Sequence, residues 1–140
     1  MAMFQDVGLL ASSRPEEVAR VFDQAFNEGD LETLVDLFAP DAIMQLVDGS
    51  RVRAHTRDHR RALEDLLATG AKIRNDVRLC IVSQDTALLL LDWSLQLPGQ
   101  PGAENEIQIG TATQVVVVDT SGKWRLKIAN PMGIEVLSCS

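Results

Sequence analysis

Tyrosine is absent from these 140 residues, and the aromatic complement is four phenylalanines and two tryptophans. Any mechanism that needs a phenol is thereby excluded. Successive bases of a single nucleic-acid strand would also find few rings on which to stack. Basic residues are outnumbered, 13 Lys and Arg against 20 Asp and Glu, for a formal charge of −7. The chain thus lacks the positive coat that neutralises phosphates, and no nucleic-acid partner is expected. Two cysteines, Cys80 in an apolar stretch and Cys139 beside the C-terminus, make no disulfide framework and suit a reducing compartment. The longest unbroken apolar run, Ala87 to Leu91, falls far short of the ~20 residues that cross a bilayer. The stretch MAMFQDVGLLASS has no basic start and carries Asp6 ahead of its weak apolar patch, unlike a signal peptide. These features predict a cytoplasmic chain without a membrane partner.

What remains is ordinary globular material, 46% apolar and 24% charged. Residues 1–12 read as a flexible N-terminal arm and 13–137 as one domain, with no repeat or linker inside it. Ser13-Arg14-Pro15-Glu16 has the form of a capping box. Val18, Val21, Phe22, Ala25 and Phe26 follow at helical spacing, and Gly29 closes that helix. Asp30 then caps a shorter helix with a stripe of Leu31, Leu34, Val35 and Phe38, stopped by Pro40. Residues 42–47 read as a strand, Asp48-Gly49 as a turn and 51–54 as a brief returning strand. Thr56 begins a third helix that carries Ala62, Leu63, Leu66 and Leu67 and ends at Gly70.

The second half is built of long β-branched or leucine-rich stretches, 72–84, 86–97, 106–119 and 123–136. Their separators are too short for parallel crossovers, so the strands are expected to be antiparallel neighbours. Strands this long twist and curl. The predicted fold class is α+β, in the order ααββα and then four strands, with a curved antiparallel sheet wrapped around the N-terminal helices.

Alternation assigns the faces. In 86–97, Leu89, Leu91, Trp93, Leu95 and Leu97 form a wholly apolar set, expected to face inward, while Leu88, Leu90, Asp92, Ser94 and Gln96 face out. In 111–118, the set Ala112, Gln114, Val116, Val118 carries a single amide among apolar groups.

The segments FNEGDLETLVDLFAPDAI, ALLLLDWSLQL and GTATQVVVVDTSGKWRLKIANPMG resemble the nuclear transport factor 2-like superfamily, and within it the small SnoaL-like and ketosteroid-isomerase-like bacterial proteins. The resemblance spans residues 13–137 in element order and implies a cystatin-like cone. That scaffold hosts isomerases, cyclases, hydrolases and non-catalytic binders, so it implies a fold more than an activity. Ketosteroid isomerases of this family use a tyrosine on the first helix, an aspartate base on the first strand and a protonated aspartate on the penultimate strand. Matched to this chain, those positions hold Phe22, Leu46 and Gln114. A phenyl, an isobutyl and an amide transfer no protons at neutral pH, so the resemblance implies the cone without the isomerase chemistry. The Asp-Arg-Asp cluster of the family's epoxide hydrolases is likewise missing: Asp92 follows Leu90-Leu91.

The cup so implied is lined by Phe22, Phe26, Met44, Leu46, Leu91, Trp93 and Leu95, with Gln114 as its polar handle. Its expected occupant is an uncharged or weakly polar small molecule; the alternative is a cyclase, isomerase or hydratase-type enzyme acting on a hydrophobic substrate. Gln114 also reads as a strand amide satisfied by its neighbours, and the aromatics as simple packing. His55 and His59 stand four apart but straddle the helix start at Thr56, and no further ligands accompany them. Neither metal nor cofactor is expected. The cluster Arg51, Arg53, Arg57, Arg60, Arg61 reads as an anion site or as a solvated face with Arg60–Glu64 and Arg61–Asp65 pairs. On the outward face Thr111, Thr113, Val115 and Val117 lie beside Leu88 and Leu90, too apolar for water alone. Related proteins commonly dimerise there, and a homodimer through this convex face is expected.

Overall fold

A glycine in the left-handed region joins the first two helices. Gly29 (φ +72°) turns its N–H back to the carbonyls of α1 (Glu17–Glu28), and Asp30 accepts from the Thr33 N–H to open α2 (Leu31–Asp36). The computed structural model describes residues 14–99 and 101–133. The expected arm lies outside these residues, as do Cys139 and Ser13 of the expected capping box. Glu16 is itself helical in backbone and makes no side-chain cap bond.

After α2 come β1 (Phe38–Gln45), β2 (Arg51–Arg53), α3 (Arg57–Ala68), β3 (Lys72–Ser83), β4 (Thr86–Leu97), β5 (Glu106–Val118) and β6 (Trp124–Asn130). This is the expected α+β order. Three boundaries move. Phe38 opens β1 instead of closing α2, because it pairs with Leu126 of β6, and the register then slips across Pro40 before Ile43 meets Ile128. A residue without an N–H is tolerated at such an irregularity. The same strand ends at Gln45, leaving Leu46 and Val47 in the approach to the turn. At the far end β6 stops at Asn130, where Pro131 enters a turn, instead of running on to 136.

The six strands form one open, curved sheet in the order β2-β1-β6-β5-β4-β3. Contrary to the wholly antiparallel expectation, β1 and β6 run parallel. The intervening chain is the remainder of the domain, long enough for any crossover. Register lines up Cys80, Leu89, Gln114, Ala129, Met44 and Val52 in one row across the sheet, and Ile81, Leu88, Val115, Ile128, Ile43 and Arg53 in the next. The first row faces the helices and the second faces away. Leu89, Leu91, Leu126, Leu34, Leu63 and Phe38 are fully buried between sheet and helices, each stabilising by roughly 1.5–3 kcal/mol relative to exposure. Leu91 belongs to this packed core and, unlike Leu63, does not reach the lining of the cup.

At the β3 edge, α1 supplies what a further strand would. Asn27 accepts from the Ile73 N–H at 2.7 Å and donates to the Ile73 carbonyl at 2.9 Å. One turn earlier, Asp23 accepts from the Asn75 N–H at 2.8 Å and from its Nδ2 at 2.6 Å. Side chains four apart on a helix thus satisfy alternate residues of an edge strand and fix α1 across the mouth of the sheet.

Candidate functional site

Between α1, α3 and the inner face of the sheet lies a cavity of about 490 Å³, within the range of small-molecule sites. Phe22, Phe26, Met44, Leu46, Trp93, Leu95 and Gln114 all line it. Phe22 and Phe26 come from one face of α1 and stack with centroids 6.0 Å apart. Met44 and Gln114 come from the inward row. Trp93 and Leu95 come from the outer half of β4, and Trp93 donates from Nε1 to the Pro131 carbonyl at 2.7 Å. That bond ties the ring to the turn after β6. It also needs Gly110, the residue opposite Trp93: a Cβ there would stand 2.6 Å from Cε2 of the indole.

The lining includes residues that the sequence reading left out. Ala62, Leu63 and Leu66 of α3 close one wall, Ile73 and Asn75 of β3 another, and Asn130 and Pro131 stand near the rim. Asn75 carried the same signal as Gln114, a single amide in an inward apolar set with Ile73 and Val77. The α3 stripe was visible as amphipathic, but its spacing does not say what it covers. Two carboxylates, Asp48 and Asp65, sit exposed at the mouth and are the charged members of the lining. The Ser50 hydroxyl and N–H donate to Asp48 and hold its carboxyl below the usual range.

Polar chemistry inside the cup is sparse. Oε1 of Gln114 is buried without a hydrogen-bond partner, a state that costs about 1–3 kcal/mol. Asp23 stands behind Asn75, and burial raises its carboxyl above the ordinary range despite the two Asn75 donors. Both of its oxygens are engaged there, so its role is to hold the wall.

The remaining candidates resolve as structure. His55 has φ +63°, donates its backbone N–H to Nδ1 of His59 at 3.1 Å, and sets Nε2 2.8 Å from the Phe38 carbonyl. His59 is fully buried, edge-on to the Phe38 ring at 4.5 Å; burial, then the charges of His55 and Arg60, push its pKa down to about 4. Because Nδ1 accepts, the proton of the neutral ring sits on Nε2. Among the described residues no three His, Cys, Asp or Glu gather as a metal site. Arg60 reaches not Glu64 but Glu32 on α2, bidentate at 2.7 and 3.0 Å, because the two helices lie side by side. Cys80 sits in the inward row, and burial pushes its thiol up, away from thiolate reactivity. Asp92 points outward as expected, paired with Arg78 at 2.5 and 3.0 Å, and Arg78 holds it below the usual carboxylate range.

A three-helix, six-stranded open cone with an apolar interior is the architecture of the nuclear transport factor 2-like superfamily, as the sequence resemblance implied. Residues 18–126 match the model of the SnoaL-like domain, and the chain belongs to that family. It is similar to a nuclear transport factor 2-like superfamily protein from Salmonella enterica serovar Typhimurium (TM-score 0.70, 14% identity, 89% of this chain and 91% of that one). It is similar also to a domain of unknown function with a cystatin-like fold from Nostoc punctiforme (0.68, 19%, 85% and 75%). A conserved protein from Planctomyces limnophilus matches at 0.71 with 13% identity over 81% and 88%. Identities this low speak for the fold alone. No curated protein matches the chain. No helix among the described residues is long and apolar enough to cross a membrane.

Proposed function

We propose that this protein binds an uncharged, largely apolar small molecule in the cup, as a homodimer joined through the outer face of its sheet. The observation that carries the reading is the cavity itself: about 490 Å³, walled by Phe22, Phe26, Met44, Leu46, Trp93 and Leu95, with Gln114 on its floor. The resemblance puts Phe22, Leu46 and Gln114 where related isomerases keep proton-transfer groups, so what the cup offers within is shape and a few amides, Gln114 and Asn75 among them. The dimer reading rests on the opposite face, where Leu88, Ile107, Ile109 and Ile128 are exposed. Exposed apolar side chains gathered on one face of a sheet are what a partner's face would cover.

A cyclase, isomerase or hydratase acting on a hydrophobic substrate is the second reading. The raised carboxyl of Asp23, one residue behind the wall, is the observation in its favour. Against it stand the two Asn75 N–H groups that already occupy both oxygens.

The neutral dye N-phenyl-1-naphthylamine tests cup binding. A fluorescence gain saturating at one dye per chain is expected, abolished by Leu46→Trp, which fills the cup from its rim. No gain, or a gain indifferent to Leu46→Trp, would sink the reading.

A further inference from the structure

Along its first half β5 carries a partner on one side only. Its register with β4 is unbroken from Glu106 to Val117, whereas β6 accompanies it only from Val118 to Thr113. The Val118 N–H donates to the Asp85 carbonyl, so every second residue from there, down to Gln108 and Glu106, aims its backbone groups at β4. Thr111, Ile109 and Ile107 aim theirs the other way, where no strand lies among the described residues. Ile107 and Ile109 are also 65% and 80% exposed. An open edge with large apolar side chains is a template for another strand, and a hazard if left bare.

The chain's own end is delivered to this edge. Just after β6, the Pro131 carbonyl accepts from the Trp93 N–H at 2.7 Å, and Trp93 stands opposite Gly110 of β5. Gly133 lies against the Ala112–Thr113 peptide: a Cβ there would stand 2.4 Å from the Thr113 nitrogen and 2.7 Å from the Ala112 carbonyl carbon. Because β6 runs antiparallel to β5, a chain leaving Gly133 in the same sense passes Thr111, then Ile109, then Ile107. Seven residues follow, Ile134-Glu135-Val136-Leu137-Ser138-Cys139-Ser140. They contain neither glycine nor proline, and their β-branched and apolar start suits a strand. At roughly 3.3 Å per residue they reach about 23 Å, more than the stretch from Thr111 to Glu106 requires.

We propose that residues 134–139 add to the free edge of β5 as an antiparallel strand, donating to and accepting from the backbone of Ile107, Ile109 and Thr111. The occupant is this chain's own C-terminal segment, and the recognition is main-chain pairing at a sheet edge. The tether makes the pairing intramolecular, so it needs no concentration of partner. The turn at Pro131, which lines the cup, is then held from both sides, by β6 before it and by this strand after it. The side chains of Ile107 and Ile109 still project from the sheet, so the outer face invoked for the dimer is kept and widened by one strand. Nothing in this pairing depends on what the cup binds.

Amide hydrogen exchange, followed by NMR on the full chain at neutral pH and at two protein concentrations, decides the matter. The amides of Ile107, Ile109 and Thr111 are expected to exchange at least about tenfold more slowly in the unaltered chain than in Val136→Pro/Leu137→Pro. One of two neighbouring strand residues always aims its N–H at β5, so the paired substitution removes a donor in either register. The amides of Gln108 and Gly110, which face β4, should be slow in both chains and certify that the sheet is intact. If the proline variant does not fold, Val136→Gly/Leu137→Gly, which weakens the strand without removing a donor, replaces it. Fast exchange at all three edge positions in the unaltered chain overturns the proposal. So does protection that survives the substitutions, or protection that fades on dilution, which would give the edge to a second copy.

Discussion

Both faces of the central strands carry large apolar side chains, in opposite circumstances. On β4, Leu89 is fully buried and its neighbour Leu88 is 41% exposed. On β5, Ala112 and Val116 lie under the helices while Ile107 and Ile109 stand 65% and 80% exposed on the other side. Side chains of the same kind are core on one face and surface on the other. What differs is the cover: α1 and α3 lie over the inner row, and among the described residues nothing lies over the outer one. Apolar side chains gain only when water leaves them. The inner face thus carries the stability of the subunit. On the dimer proposal, the outer face keeps its apolar character for a use outside the subunit.

The sharpest way to break this comparison is to truncate neighbouring leucines. Leu89→Ala should cost about 2–5 kcal/mol of unfolding free energy, the transfer term plus the cavity it leaves. Leu88→Ala should cost less than about 1 kcal/mol in a monomeric background. Urea titrations of the two variants give the answer directly. Similar losses at both positions would mean that the two faces do not differ as described.

Acid probes the inner side by another route. His59 is neutral in the fold because burial lowers its pKa from 6.5 to about 4. The unfolded chain takes up the proton from pH 6.5 downward while the native state refuses it. This stabilisation is therefore complete above pH 6.5 and drains away as pH falls toward 4, by about 3 kcal/mol in all. The groups facing His59 are the His55 ring, the Phe38 ring and Arg60, and none is an acid that would rescue its charge. His59→Asn keeps an acceptor near the place of Nδ1 and should flatten the stability profile between pH 6.5 and 5. Carboxylates depressed by their partners, such as Glu32 by Arg60 and Asp36 by Lys123, lose their contribution only lower in the range. An unchanged profile in His59→Asn would assign the acid sensitivity to them.

Local pattern announced most of the fold. The bounds of β4 followed from its alternation and the turn residues beside it, and Gln114 stood out as one amide in an apolar row. Gly29, Asp30 and Thr56 marked helix ends by chemistry that acts within four residues. The parallel meeting of β1 with β6 left no such mark, because its partners are some 85 residues apart and no turn joins them. For the same reason Phe38 read as a helix residue: its spacing fits the stripe of α2, and only Leu126 makes it a strand. The site was legible where it lies on the strands and on α1. It was not legible on α3, whose stripe told that it packs but not against what. Asp23 and Asn27 were silent as well, since an acid and an amide on a helix look like solvated groups until an edge strand supplies their partners.

At one position the two faces meet. Gly110 has no side chain, the Trp93 ring covers its inner side, and its outer side forms part of a shallow groove with Asp92, Ser94 and Thr111. Gly110→Ala should force the indole away from the Pro131 carbonyl at a cost of about 1–3 kcal/mol, visible as a shift of tryptophan emission together with a lower urea midpoint. Full retention of both would show that the ring has room to yield.

The smallest effect on the subunit, and the most telling about the outer face, is expected from Ile109→Asp. With 80% of Ile109 already exposed, a charge there displaces almost no packing. The stability of the isolated subunit should move by no more than about 0.5 kcal/mol. In a dimer the same carboxylate would be driven against its own symmetry mate or against the apolar row of Leu88, Ile107 and Ile128, because a two-fold interface presents each change twice. Sedimentation velocity should therefore show the unaltered chain as a dimer and Ile109→Asp as a monomer with an unchanged circular dichroism spectrum. If both sediment as monomers, the outer row must serve some partner other than a second copy. If both sediment as dimers, the interface lies elsewhere, and the contrast between the faces would have to be explained without it.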